Sequence, residues 1–187
     1  MPLPAITEIR SGRLIIRPVR VADLTDLMAV NGNDEATRYL PYESWRTPAD
    51  AMAWFERMQA LVAAGTARQL VIVQADSGQC IGTVLLFRFD AGSARVELGY
   101  VVGRAHWRQG VAREAVSAVL SHAFGALGIR RVEAEVNCDN AASSGLLLAL
   151  GFTREGLLRQ RWVNKGVAVD VHAYGLLAYE WAGQAAG

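Results

Sequence analysis

Hydrophobic and polar positions change period along this chain, and each change marks an element. Arg13 to Val19, RLIIRPV, alternates and ends near Pro18, which predicts a first strand at a sheet edge. Ala22-Asp23 starts a helix reaching about Val30, and Asn33 to Leu40 is a second short helix candidate, stopped by Pro41. Thr47-Pro48 puts a proline near the first position of the next helix. Its apolar face, Trp54, Phe55, Met58, Leu61 and Val62, carries it to about Ala64, before Gly65. The period then drops to two. RQLVIVQA (68–75), CIGTVLLFRF (80–89) and ARVELGYVV (94–102) read as three consecutive antiparallel strands, joined by the turns Asp76-Ser77-Gly78 and Asp90-Ala91-Gly92. A helical period returns after Gly110, with Val116, Val119, Leu120, Ala123 and Leu127 on one face. IRRVEAEVN (129–137) is another strand, and the intervening helix makes it parallel to 94–102. A short helix from Asn140 to Leu150 ends at Gly151. Two final strands, 151–163 and 166–181, meet at the turn Asn164-Lys165-Gly166.

The pattern is a mixed α/β fold. Its sheet has about seven strands, mostly antiparallel, flanked by helices. No repeat, low-complexity segment or linker interrupts the 187 residues, so a single domain is expected. Strands 94–102 and 129–137 become parallel neighbours, and the first opens out at its end, around Gly99 to Gly103. That divergence leaves free N–H and C=O groups and a slot.

The loop that follows the slot is HWRQGVAREA, His106 to Ala115. A helix starting at such a loop offers unpaired N–H groups and a positive dipole end, which suits phosphate. Gly110 allows close backbone approach. Arg108 and Arg113 add charge for more than one phosphate. The same strand–loop–helix also occurs as a plain helix start, and it is neither a P-loop nor GxGxxG. Coenzyme A has a shape that fits the slot and loop together: a peptide-like arm plus a pyrophosphate.

Composition narrows the classes. Hydrophobic content of 52% and charged content of 20% suit a soluble globular protein. A net charge of +1 gives no nucleic-acid footprint. Cys80 and Cys138 suggest no disulfide framework, no apolar run approaches membrane length, and the N-terminus lacks a signal-peptide core, so a cytoplasmic protein without membrane contact is expected. No cluster has metal-ligand spacing.

Four segments, in order, resemble the GNAT superfamily of N-acetyltransferases, and within it the RimJ/RimL type that acetylates protein N-terminal amines. They are ELGYVV (97–102), WRQGVA (107–112), NCDNAASSGLLLALGF (137–152) and DVHAYGLLAYEW (170–181). The resemblance covers about residues 13–181. Trp107 replaces the first Gln or Arg of the superfamily's Q/R-x-x-G-x-G/A loop. The resemblance implies a GNAT fold and acetyl-CoA as co-substrate, with no metal. It implies coenzyme contacts at Val101, Val102, Arg108, Gln109, Gly110, Val111, Ala112, Arg113 and Asn140. A backbone N–H near Val101 would be the oxyanion donor.

Acetyl transfer from a thioester needs a neutral amine, a stabilised oxyanion and a tolerated thiolate. Glu97 stands where superfamily members carry a general base, acting directly or through water; the alternative is a strand glutamate in a surface ion pair with Arg95 or Arg131. The superfamily's tyrosine acid falls on Leu147, which donates no proton. Ser143 matches the RimJ/RimL serine that would stabilise the departing thiolate; the alternative is a first-turn helix serine. Asn140 is also a natural N-cap. His106 and His122 are set aside as bases, and His172 is placed near the acceptor side by analogy only. Tyr39, Tyr42 and Trp45 form core and cleft wall in the segment expected to meet the acceptor.

The expected activity is direct transfer of acetyl from acetyl-CoA to a primary amine, most simply a protein or peptide N-terminus. The rival readings are a small-molecule amine acetyltransferase (antibiotic, polyamine or amino acid) and a non-catalytic coenzyme A sensor. Homodimerisation is left open.

Overall fold

The computed structural model describes residues 1–185. Its strands are β1 (Ile9–Ser11), β2 (Leu14–Pro18), β3 (Arg68–Gln74), β4 (Cys80–Asp90), β5 (Arg95–Val102), β6 (Arg131–Asn137), β7 (Thr153–Asn164) and β8 (Val167–Leu177). Its helices are α1 (Leu24–Asn31), α2 (Pro48–Ala63), α3 (Val111–Gly125), α4 (Ala141–Ala149) and α5 (Ala178–Ala185). The eight strands form one sheet in the order β1-β2-β3-β4-β5-β6-β8-β7. Only the β5–β6 pair is parallel.

Alternation along the strands divides the core into two layers. Leu70, Ile72, Val84, Leu86, Val96, Leu98, Val132 and Val136 face Val116, Val119 and Leu120 of α3 and Leu147 of α4. Val71, Val73, Cys80 and Val101 face the other way, onto Leu27 of α1, Trp54 and Met58 of α2, and Trp45. Trp45 and Trp54 pack with ring centroids 5.4 Å apart. Residues on one strand therefore look toward α3–α4 or toward α1–α2 according to parity.

Local chemistry explains where the helices begin. Asp50 accepts the N–H groups of Arg46 and Thr47, both at 2.8 Å, and Pro48 occupies the first turn of α2, where no N–H is needed. Asn140 caps α4 by accepting the Ser143 N–H at 3.1 Å.

Four expectations change. The strand at 13–19 is not the edge, because the three-residue β1 pairs outside it. The sheet has eight strands rather than seven for the same reason. Residues 33–40 form turns rather than a helix: Asn33 Oδ1 takes the Ala36 N–H at 3.0 Å, and the backbone bonds mix three- and four-residue spans before Pro41. Residues 178–181 belong to α5, not to the last strand. The Glu180 carboxylate accepts the Leu177 N–H at 2.8 Å and turns the chain there.

Candidate functional site

β5 and β6 pair only from Arg95–Glu97 to Arg131–Glu133, although β5 continues to Val102 and β6 to Asn137. The sheet is therefore split beyond Glu97. On its other side β5 stays paired with β4 up to Val102. The Gly103 N–H donates to Ile81 O at 2.8 Å, and Ala94 O accepts from Arg130 at 2.7 Å. Odd-numbered residues of β5 thus aim their peptide groups at β4, and even-numbered ones aim theirs at β6 or at the gap. The backbone groups that face the gap are those of Leu98, Tyr100 and Val102. Val101 turns its N–H to β4, so a backbone donor near Val101 falls to Tyr100 or Val102. The Val101 side chain packs with the α1–α2 layer.

The loop after β5 is braced on three sides. Trp107 Nε1 donates to Val102 O at 2.7 Å, and the Arg104 guanidinium lies over the Trp107 ring. Trp107 therefore ties the loop to the strand end, a structural use of the residue that departs from the family's loop pattern. Gln109 Nε2 donates to Ala105 O at 2.9 Å. Arg13, from the β1–β2 turn, donates to Gln109 O and pairs with Glu114. Gly110 is the N-cap of α3 with φ 75° and ψ 0°, left-handed backbone that glycine adopts without penalty. Glu114 N–H closes on Gly110 O at 3.0 Å, so the amides of Val111, Ala112 and Arg113 sit ahead of it at the helix end. Arg108, Gln109, Gly110 and Arg113 are exposed, Ala112 is half-buried and Val111 is packed in the core. The open amides, the glycine and the gap-facing strand backbone fit a phosphate-bearing ligand with a peptide-like arm.

Glu97 lies at the point where the strands part, on the α1–α2 face, and is 7% exposed. Its partner is Arg88 Nη1, at 2.8 Å, not Arg95 or Arg131. Arg95 reaches Asp90 and Glu133, while Arg131 reaches Glu133 and Glu155. The β4–β5 register shifts between Phe87 and Asp90, and Arg88 takes φ 52° within that bulge. Burial pushes the Glu97 carboxyl above its ordinary range; Arg88 pulls it back, and the charges of Glu135 and Glu133 on the same face push it up again.

Ser143 sits in the first turn of α4, and its hydroxyl is 2.7 Å from the Tyr100 hydroxyl of β5. This contact joins the two lips of the gap from the α3–α4 face. Burial pushes the Tyr100 phenol up to about 12, partly offset by the Ser143 hydrogen bond. Leu147 is fully buried beneath them. Tyr100 was missed in the sequence, although its parity relative to Glu97 already assigned it to the opposite face. Arg88 and Arg13 were missed as well, since a bulge and a remote turn deliver them.

The remaining candidates separate. Trp45 is core, and Tyr42 is half-buried with its hydroxyl on Asn31 Oδ1 at 2.9 Å. Tyr39 reaches across to Asp139 O at 3.0 Å. Together with Lys165 on Thr37 O, Asn164 on Arg38 O and the Glu35–Arg104 ion pair, it fixes the 33–46 segment beside the gap. His172 pairs in register with Val136, which puts it on the α3–α4 face, edge-on to Tyr174. It is not beside Glu97. Among the described residues no group of three or more His, Cys, Asp or Glu could hold a metal ion, and no helix is long and apolar enough to cross a membrane.

Known proteins resemble this chain in sequence and fold. The acetyltransferase (GNAT) domain family matches residues 13–153. An uncharacterized N-acetyltransferase of Bacillus subtilis (strain 168), YoaA, is 34% identical over 169 residues, covering 90% of this chain and 96% of that protein. The ribosomal-protein-serine acetyltransferase of Escherichia coli (strain K12) is 28% identical over 110 residues, 59% of this chain and 60% of that protein. A GCN5-related N-acetyltransferase from Brucella melitensis superposes with a TM-score of 0.87 at 24% identity, covering 97% of this chain and 83% of that one. Mycobacterium smegmatis RimJ, solved with CoA-disulfide, superposes at 0.82 and 20% identity, covering 98% and 95%. With its split sheet, its open helix N-terminus and these relatives, the chain belongs to the GNAT family of N-acetyltransferases.

Proposed function

We propose that this enzyme transfers acetyl from acetyl-CoA directly to the α-amine of a protein or peptide N-terminus. The observation that carries the reading is the buried, raised Glu97 carboxyl at the point where β5 and β6 part. As a carboxylate, a glutamate with a raised pKa is a stronger base than an ordinary one, and it faces the α1–α2 side. In this reading Glu97 takes the proton from the attacking amine. The N–H groups of Tyr100 and Val102 point into the gap and hold the developing oxyanion. The amides of Val111, Ala112 and Arg113, with Arg108, receive the pyrophosphate. Gln109 and Gly110 shape that loop, and Asn140 fixes the α4 turn that carries Ser143.

Two arguments favour an α-amine. The E. coli relative is by its name an acetyltransferase of a ribosomal protein. The physical argument is the amine itself. An α-amine has pKa about 7.7–8.0 and a lysine about 10.4, so the neutral fraction at neutral pH differs by more than about a hundredfold. One modest base suits the easier nucleophile. Peptides bearing a free N-terminus and an internal lysine, presented beside small amines and read by product mass spectrometry, test the assignment. N-terminal modification is expected; modification mainly at lysine, or turnover with small amines only, overturns the acceptor and leaves the acetyltransferase standing.

A further inference from the structure

We infer that Tyr100 is a positioning residue for thiolate departure: its hydroxyl donates to Ser143 Oγ and so directs the serine's own hydrogen into the gap, at the coenzyme sulfur. The inference rests on the acetyltransferase reading and adds a second residue to its leaving-group side. The geometry behind it is the 2.7 Å contact between a β5 residue beyond the split and a first-turn residue of α4. Either oxygen could donate in that pair. A phenol is the stronger acid and the weaker acceptor, so the Tyr100 O–H is the donor and Ser143 Oγ the acceptor. Its raised pKa keeps that proton in place through neutral pH.

The serine hydrogen then needs its own partner. A helix serine usually bonds back to the carbonyl three or four residues earlier. Here the Ser143 hydroxyl bonds neither the Asp139 nor the Asn140 carbonyl, and its hydrogen-bond neighbour is the Tyr100 hydroxyl. The Ser143 backbone is held by its own N–H bond to Asn140 Oδ1. A hydroxyl fixed at its backbone, and with its lone pairs oriented by a phenol, presents its hydrogen to the unpaired end of β5. That is where the peptide-like arm of the coenzyme would end.

In the transfer step, the nitrogen–carbon bond forms, the carbon–sulfur bond breaks and the sulfur leaves with the electron pair. The proton lost by the amine passes to Glu97 and on to solvent or to the thiolate. Ser143 and Tyr100 keep their protons; they contribute only a hydrogen bond that strengthens as charge builds on sulfur.

The test uses Tyr100→Phe, Ser143→Ala and the double variant, all as full-length protein. Tyr100→Phe keeps the ring in the core, and thermal melts report whether the fold is retained. Each single variant is expected to lower kcat by about threefold to tenfold, the scale of one hydrogen bond, with KM for acetyl-CoA little changed. The double variant is expected to lose no more than Ser143→Ala alone. A second readout needs no acceptor: a difference ultraviolet titration of the thiolate of bound coenzyme A. The wild type should ionise the bound thiol at lower pH than free coenzyme A does, and both single variants should reverse that shift. Multiplying kcat losses in the double variant, or a bound-thiol titration unmoved by Tyr100→Phe, would overturn the inference. If the wild type acetylated no amine while Tyr100→Phe still reversed the thiol shift, the acetyltransferase reading would fail and the Tyr100–Ser143 assignment would stand.

Discussion

Gly110→Asp isolates the proposed phosphate site from the rest of the fold. At this position φ is 75°, and an added Cβ would meet only Arg13 Nη2, at 3.6 Å, an ordinary contact. An aspartate there sets a carboxylate beside the helix N-terminus, where it competes with an incoming phosphate for the first-turn N–H groups, among them those of Ala112 and Arg113. It also puts a negative charge where two more negative charges must bind. Hydrogen bonds to a charged group contribute about 1.5–3 kcal/mol each. Losing about two of them costs about 3–6 kcal/mol, which is about 10²–10⁴ in Kd.

Stability should change much less. The left-handed backbone costs an L-residue about 1–2 kcal/mol, and a negative charge at a helix N-terminus returns about 0.3–1 kcal/mol. Gly110→Ala carries the same strain without the charge, so it should be less stable by about 1–2 kcal/mol yet bind coenzyme A nearly as the wild type does. Isothermal titration with coenzyme A, beside thermal melts of all three proteins, gives both quantities. Normal binding by the aspartate variant would refute the placement of the pyrophosphate. Equal loss in the alanine variant would show that backbone shape, not charge, governs the loop.

Glu97→Gln should lower kcat by about 10²–10⁴, most at low pH, with partial recovery at high pH where free amine is abundant; an unchanged pH–rate profile would assign Glu97 to structure. Arg88→Met removes the group that lowers the Glu97 carboxyl, so that carboxyl rises further. The acid limb of kcat/KM should then move to higher pH while the high-pH plateau holds, and a limb that stays put would separate the pair from the chemistry. Asp23→Asn breaks a nearly buried pair in which Arg17 donates twice, at 2.8 Å and 2.7 Å, and should cost about 3 kcal/mol in denaturant unfolding. Burial raises the Asp23 carboxyl, but its bonds from Arg17 and from Arg20 N–H outweigh that and hold it below the ordinary range. Its contribution is therefore present above the unfolded-state pKa and is lost as pH falls toward the folded one; a variant whose stability falls with acid as steeply as the wild type's would refute this.

Much of this fold is legible in the chain because its strands alternate cleanly and its helices carry caps. Thr47-Pro48, Gly110 and Asn140 each state where a helix begins. β1 escaped because three residues are too few to show a period. The 33–40 segment has helical composition, but the Asn33 side chain takes an amide and the chain turns instead. The placement of Glu97 where the strands part and of Gly110 at a helix start was legible, because each depends on one strand or one loop. What depends on two elements meeting was not legible: the Tyr100–Ser143 contact spans 43 residues, and Arg88 reaches Glu97 through a bulge that no periodicity announces.

The parity of β5 has a mechanistic consequence. Glu97 faces α1–α2, while Tyr100 and Ser143 close the gap from the α3–α4 side. With Glu97 as the proposed base and Ser143 as the proposed leaving-group donor, a thioester lying between the strands would be attacked from the α1–α2 side, with sulfur departing toward α4. The proposed roles need no covalent acyl-enzyme. The cysteines agree. Burial pushes the Cys80 thiol up to about 12, so it keeps its proton, and the Cys138 thiol is raised as well. Cys80 therefore offers no thiolate of the kind an acyl carrier needs. A stoichiometric burst of free coenzyme A from acetyl-CoA without any amine would contradict this, and its absence together with amine-dependent release is the expected result.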